Sequence, residues 1–413
     1  MSKTIAAIIC VFTLLASSTT TFADNDKWMD QVRALAGKGA VLVANMDGQS
    51  LFSYHADQAF TPASTLKILI AAAVLDYLGP NYRFITEFRL SPNQDLYVIG
   101  RGDPWLVSEE LAFITQHLKA LGLGRVNNII VDNLFFTPGL ILDGTEKSIY
   151  PHDAYNGALC VNFNTVSIEV RPDGSMLSGE PQTPLTDLAR GLAKKNHAHG
   201  KLRFSLSDDP KTGLLYAGEL FKSFLQVSGV EVRGQVKPAN PEPMEAPLFY
   251  RHQSRKDLRW VVEQFLRYSS NFMTNQVFLT MGAERFGSPA DAEKARQVIK
   301  DYLTKYQIPL FHVEEGSGLS RKTKITATQL SYILRQFKDY RWLLTARDRA
   351  YVKTGTLSDV KALAGYLESP LGEPLTFVII LNGSEVKFDT RDRILQLLEE
   401  NLSPNIKNNS SRL

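Results

Sequence analysis

Ser64 and Lys67 stand three residues apart at the head of an apolar run, Leu66 to Leu78, that stops at Gly79-Pro80. These start and stop signals predict a buried helix, and residues i and i+3 of a helix share a face. A serine hydroxyl is a weak nucleophile until a neighbouring base takes its proton, and an uncharged lysine amine can act as that base. The pattern alone carries little weight, because Ser-x-x-Lys recurs, at Ser384 and Lys387 for instance. Ser-x-Asn occurs at Ser91, Ser269 and Ser403, and Lys-Thr-Gly at Lys211 and Lys353. The patterns at Ser91 and Ser403 hold a proline in a turn, and Lys211 follows Asp208-Asp209-Pro210, which reads as a loop. One ordered combination remains. It places Ser64 and Lys67 on a helix, Ser269 and Asn271 between helical runs, and Lys353-Thr354-Gly355 on a strand.

The flanking segments say how these residues are held. Asp26 to Ala36 reads as a helix; Ala40 to Asn45 and Gln49 to Tyr54 read as strands joined by a turn at Asp47-Gly48. Ala350 to Gly355, Ala362 to Glu368 and Leu375 to Leu381 read as three more strands, and Asp389 to Asn401 as a closing helix. The middle differs: short strands (Leu96 to Ile99, Asn128 to Asp132, Val161 to Val170, Lys201 to Leu206) are broken by Gly and Pro, and Pro238, Pro241, Pro243 and Pro247 crowd an outgoing linker. From Asp257 to Arg335 the pattern is helical again. The expected organisation is one discontinuous domain, residues 24–85 and 248–405, interrupted by a β-rich insertion at 86–247, with a polar tail at 406–413.

The motif set resembles the penicillin-recognising serine acyltransferases, whose signatures are Ser-x-x-Lys, Ser-x-Asn and Lys-Thr-Gly. More narrowly it is similar to the D-alanyl-D-alanine carboxypeptidase/endopeptidases, the low-molecular-mass class C penicillin-binding proteins. The matching stretches are Pro62 to Lys67 leading into Leu78 to Phe84, Gly102-Asp103-Pro104, Ala158 to Asn164, Gly316 to Arg321, and Lys353 to Leu357 followed by Ala362 to Tyr366. The resemblance implies an α+β sandwich with a five-stranded antiparallel sheet between helices, the β-lactamase/transpeptidase-like fold. It implies cleavage of D-Ala-D-Ala termini and D-amino-acid cross-links of peptidoglycan peptides, with β-lactams as substrate mimics and no cofactor. Ser64 becomes the acylated nucleophile and Lys67 its proton acceptor, which needs a pKa far below the ordinary value of about 10.4. Lys353 supplies a second cation and attracts the substrate's terminal carboxylate; Ser269 relays a proton to the leaving amine and Asn271 holds the peptide backbone. Thr354 and Thr356 offer hydroxyls to the carboxylate, Gly355 leaves room for a peptide to approach, and the N–H groups of Ser64 and Thr356 form an oxyanion hole. Asp153 and Arg321 are expected at the edge of the cleft, Asp153 facing a stem-peptide amine. Two positions depart from the family pattern: Asn275 and Gln276 stand where a small residue and Glu are usual.

Rival readings within this fold are a β-lactamase and a non-catalytic peptidoglycan sensor. The chain has no Glu-x-x-Leu-Asn segment of the class A lactamase kind. His197 and His199 form a His-x-His pair without carboxylate or cysteine partners nearby, which reads as a solvated loop rather than a metal site.

Composition bounds the rest. The 413 residues are 44% hydrophobic and 22% charged with a formal charge of +3, so wholly disordered and nucleic-acid-wrapping readings are poor. Lys3, the apolar run Ile5 to Ala16 and Thr21-Phe22-Ala23 read as an export signal over residues 1–23, the apolar run being shorter than the roughly 20 residues of a membrane span. Its removal takes away Cys10 and leaves Cys160 as the sole cysteine, so no internal disulfide is expected in the periplasm.

Overall fold

The computed structural model describes residues 23–402, apart from 147, 207–208, 240–245 and 370–371. The expected signal segment and the polar tail therefore lie outside the described residues.

Strands buried along almost their whole length build the centre of the main sheet. Six strands pair in the order Thr345–Arg347, Ala350–Leu357, Val360–Leu367, Leu375–Asn382, Ala40–Ala44, Ser50–Tyr54, every pairing antiparallel. Five of them are the expected strands. The sixth, Thr345–Arg347, spans three residues and pairs only with Ala350–Val352. The stretch Lys353–Leu357 thus has a neighbour on one side only among the described residues.

The two faces of this sheet bury different sets of side chains. Leu42, Ala362, Ala364, Val378 and Ile380 pack against the helices Lys67–Leu78, Leu258–Arg267, Asn271–Phe286, Ala292–Lys305 and Ala327–Phe337. Val41, Val43, Leu363, Phe377, Ile379 and Leu381 pack against Trp28 and Val32 of the first helix and Ile394, Leu395 and Leu398 of the last. This period-2 split is what a strand buried on both faces requires.

Residues 85–253 carry a second core, while Phe135, Phe136, Leu142, Ala154, Ala158 and Cys160 from the same range pack into the first. Strands Ile85–Leu90, Leu96–Gly100, Ile129–Asp132, Val236–Pro238 and Leu248–Gln253 make a mixed five-stranded sheet, beside a three-stranded sheet of Thr165–Val170, Met176–Ser178 and Gly200–Ser205. Leu248–Gln253 pairs antiparallel with Ile85–Leu90, so the returning strand belongs to this sheet. The region also holds three helices that the β-rich expectation omits: Ser108–Ala120, Asp187–Lys195 and Pro210–Val227. Lys211-Thr212-Gly213 lies in the first turn of the last of these, not in a loop; the Asp209 side chain caps the turn and Pro210 sits at its first position.

Candidate active site

The segment that carries the nucleophile is not a simple helix start. Ala63–Leu66 forms a 3-10 turn and the α-helix begins at Lys67. In a 3-10 turn the side chains at i and i+3 eclipse, so Lys67 lies directly over Ser64 and its Nζ donates to Ser64 Oγ at 3.1 Å. Ala63 holds a left-handed φ of 49° immediately before the nucleophile, a conformation costly for a residue with a Cβ and characteristic of functional turns.

Lys67 is completely buried, and its amine is fully engaged. Besides Ser64 Oγ it donates to Asn271 Oδ1 at 2.9 Å and to the Ser317 carbonyl at 2.5 Å. Burial holds its pKa well below the ordinary lysine value, and the charge of Lys353 lowers it further, against an upward pull from Glu315. Lowering is the direction a proton acceptor needs, because it favours the uncharged amine.

Ser269 and Asn271 flank Ser270, which is the true cap of the helix Asn271–Phe286 through a bond from Met273 N. Ser269 itself adopts φ 55°. Its Oγ accepts from Lys353 Nζ at 2.9 Å, and Lys353 also donates to the Thr354 carbonyl at 2.9 Å. Burial, and then the guanidinium of Arg391, push Lys353 down to about 7. Ser64, Lys67 and Asn271 therefore form one hydrogen-bonded group and Ser269 with Lys353 a second. The short stretch Ser269–Asn271 holds the two together where the 3-10 turn, the helix Asn271–Phe286 and the sheet edge meet, and these five residues make up the constellation.

Gly355 has a different reason from the one expected. A Cβ there would meet the Pro62 carbonyl at 2.8 Å and Thr65 N at 3.1 Å. The glycine lets the strand press against the nucleophile's turn, rather than clearing space for a peptide. Thr354 and Thr356 lie on the opposite side of the strand from Lys353 by alternation, and Thr356 is exposed at the unpaired edge with its Oγ1 accepting from Arg391 Nη1 at 2.9 Å.

Asp153 and Arg321 stand outside the constellation. Asp153 is buried, and its carboxylate accepts from the Ser148 hydroxyl and from Glu146 N at 3.3 Å, which is the geometry of a loop cap. Arg321 is exposed and pairs with Asp359 and, at 3.2 Å, with the Ser358 hydroxyl in the turn beyond Leu357. His197 and His199 are both exposed in the loop before Gly200.

Four residues to which the three motifs assign no role also shape the site. The Ser317 carbonyl holds Lys67. Buried Glu315 folds that loop back on itself: its carboxylate accepts from Ser317 N and Oγ at 2.6 Å each, Gly318 N at 2.7 Å and Ser320 N at 3.2 Å. Asn275 and Gln276, the unusual pair, are ties between segments. Asn275 Oδ1 accepts from Gly316 N at 2.8 Å, and Gln276 donates to the Gly157 carbonyl at 2.6 Å while accepting from Asn156 at 2.8 Å.

The family model of the D-Ala-D-Ala carboxypeptidase 3 (S13) family matches residues 23–196, 199–349 and 346–401. The chain belongs to that family. It is a serine-peptidase hydrolase of the D-Ala-D-Ala carboxypeptidase kind. A D-alanyl-D-alanine carboxypeptidase of Actinomadura is 27% identical over 84% of this chain and 78% of its own length. The carboxypeptidase DacB of Haemophilus influenzae is 26% identical over 86% and 88%. Among solved structures, penicillin-binding protein 4 of H. influenzae superposes with a TM-score of 0.73 at 19% identity, covering 90% of this chain and 98% of that one. A predatory peptidoglycan endopeptidase of Bdellovibrio bacteriovorus gives 0.53 at 12% identity, covering 91% and 95%. Both show the same fold.

Proposed function

We propose that this S13-family member cleaves D-Ala-D-Ala termini and D-amino-acid cross-links of peptidoglycan stem peptides through an acyl-enzyme on Ser64. The observation that carries it is the Lys67 amine, buried, lowered in pKa and 3.1 Å from Ser64 Oγ. Ser64 Oγ attacks the carbonyl of the penultimate D-alanine while Lys67 Nζ takes its proton. The C–N bond then breaks, the amine leaves with a proton passed through Ser269, and water hydrolyses the Ser64 ester. An extended peptide added along the unpaired edge Lys353–Leu357 would be held as a further strand, its acyl carbonyl near the Ser64 turn. Lys353, Thr354 and Thr356 then meet the terminal carboxylate, Asn271 the amide, and Asp153 and Arg321 stand at the cleft margin. We assign residues 24–84 and 254–405 to the penicillin-binding unit and 85–253, whose two end strands pair with each other, to the insertion, with export to the periplasm. No helix among the described residues is long and apolar enough to cross a membrane.

Incubation of purified protein with fluorescent penicillin, followed by mass spectrometry of the adduct, tests the reading. A stable adduct on Ser64, and loss of cross-linked dimers from digested muropeptides, are the expected results. No adduct would favour a sensor, and rapid release of hydrolysed drug a β-lactamase.

A further inference from the structure

Arg391 reaches the sheet from a helix that no motif marks, Thr390–Leu402, and is 3% exposed. Its Nη1 is shared among the Gly355 carbonyl at 2.7 Å, Thr356 Oγ1 at 2.9 Å and the Ala362 carbonyl at 3.1 Å. One guanidinium nitrogen thus grips both strands of the hairpin that presents Lys353. The nearest carboxylate, Asp392, lies 3.9 Å from Arg391 Nε and gives its closer contact, 2.7 Å, to Arg347. The charge of Arg391 is therefore directed at the strand rather than cancelled beside it. Lys353, whose pKa it lowers, lies within its field; beyond Lys353 come Lys67 and then Glu315.

A threonine hydroxyl has one proton to give and two lone pairs to accept with. When its oxygen accepts from a buried cation, its proton is left for an outside acceptor and is made a stronger donor. Thr356 is exposed at the unpaired edge, where a carboxylate would lie between the Lys353 and Thr356 faces of the strand. Building on the acyl transfer assigned to Ser64, we propose that Arg391 is a positioning residue for carboxylate recognition, aiming the Thr356 proton at the negatively charged end of the substrate. A purely structural clamp would affect all substrates alike; a positioning role affects those that carry the charge.

The test compares an acyl-D-alanyl ester ending in a free carboxylate with its methylated counterpart. Arg391→Gln and the gentler Arg391→Lys are expected to lower kcat/KM for the charged substrate by about ten- to hundredfold, mainly through KM. The methylated substrate should change by less than about threefold. Thr356→Val should give a similar loss, and adding Arg391→Lys to it should cost little more, since both act through one hydroxyl. Equal losses on both substrates, no loss on either, or additive losses in the double variant would each overturn the role. If Arg391→Gln fails to fold, Arg391→Lys and the Thr356→Val cycle still decide. Penicillin acylation of wild-type Ser64 separates failure of this role from failure of the acyl-enzyme reading itself.

Discussion

The Ser317 carbonyl receives the shortest of the three hydrogen bonds donated by Lys67, 2.5 Å against 2.9 Å to Asn271 and 3.1 Å to Ser64. The base is therefore aimed by a backbone group from a loop about 250 residues away in sequence. Replacing Lys67 with alanine should lower the rate of Ser64 acylation by about 10²- to 10⁴-fold, read by stopped-flow penicillin labelling.

The two lysines titrate with opposite consequences. Lys67 works when uncharged, so kcat/KM should rise with pH as its lowered pKa is passed. Lys353 works when charged, so activity toward carboxylate substrates should fall above its value of about 7. Lys353→Met should remove that alkaline fall and weaken reaction with peptides and β-lactams alike. It also removes the repulsion that lowers Lys67, so the acid limb should move to higher pH. A pH–rate profile that keeps both limbs would contradict these assignments.

Glu315 offers only acceptors to four donors, which suits a carboxylate and not an amide. Glu315→Gln turns an NH₂ group against those donors and should cost about 1–3 kcal/mol of stability, measured by denaturant unfolding. Because the charge of Glu315 raises the pKa of Lys67, its loss should also shift the acid limb to lower pH, a displacement that mere loosening of the loop would not produce.

Gly318→Ala should be worse than Gly355→Ala. Gly318 has φ +83°, and a Cβ there would stand 2.0 Å from the Ala63 carbonyl, whereas at Gly355 the closest atom is at 2.8 Å. Acylation is expected to fall in both variants and Tm to fall more in Gly318→Ala, checked by calorimetry beside penicillin labelling.

Cys160 is buried, and burial pushes its thiol up to about 12. In protein lacking residues 1–23 it should resist aqueous maleimide and react only after denaturation; fast labelling of the native form would show the surrounding loop to open.

What the sequence made readable, and what it hid, follows from the range of the interactions. Ser64, Lys67, Ser269 and Lys353 were legible because each sits in a short string whose spacing is set by one turn or one strand. Strands such as Leu375–Asn382 announced themselves by apolar runs, here Phe377 to Leu381. Arg391 was not legible, because its partners lie 29 to 36 residues back along the chain. Glu315 bonds within its own loop, and what hid it was its burial, which tertiary packing supplies. Thr345–Arg347 is too short to show a period. The helix Pro210–Val227 could have been found: Asp209 and Pro210 are a cap and a first-turn proline, and the nearby Lys-Thr-Gly string drew attention from them. The reason for Gly355 lay in the Pro62 carbonyl, which only the tertiary fold brings near.

The pairing of Ile85–Leu90 with Leu248–Gln253, closed by Leu90 N on the Pro247 carbonyl at 3.2 Å, means that the long excursion departs and comes home one strand spacing apart. In backbone connectivity those intervening residues amount to the crown of a hairpin, although Phe136, Ala158 and Cys160 among them pack into the hydrolase core. The entropy of bringing its ends together grows only slowly with the length enclosed, so a short turn grafted between Leu90 and Leu248 would leave the chemistry's scaffold connected as it is now.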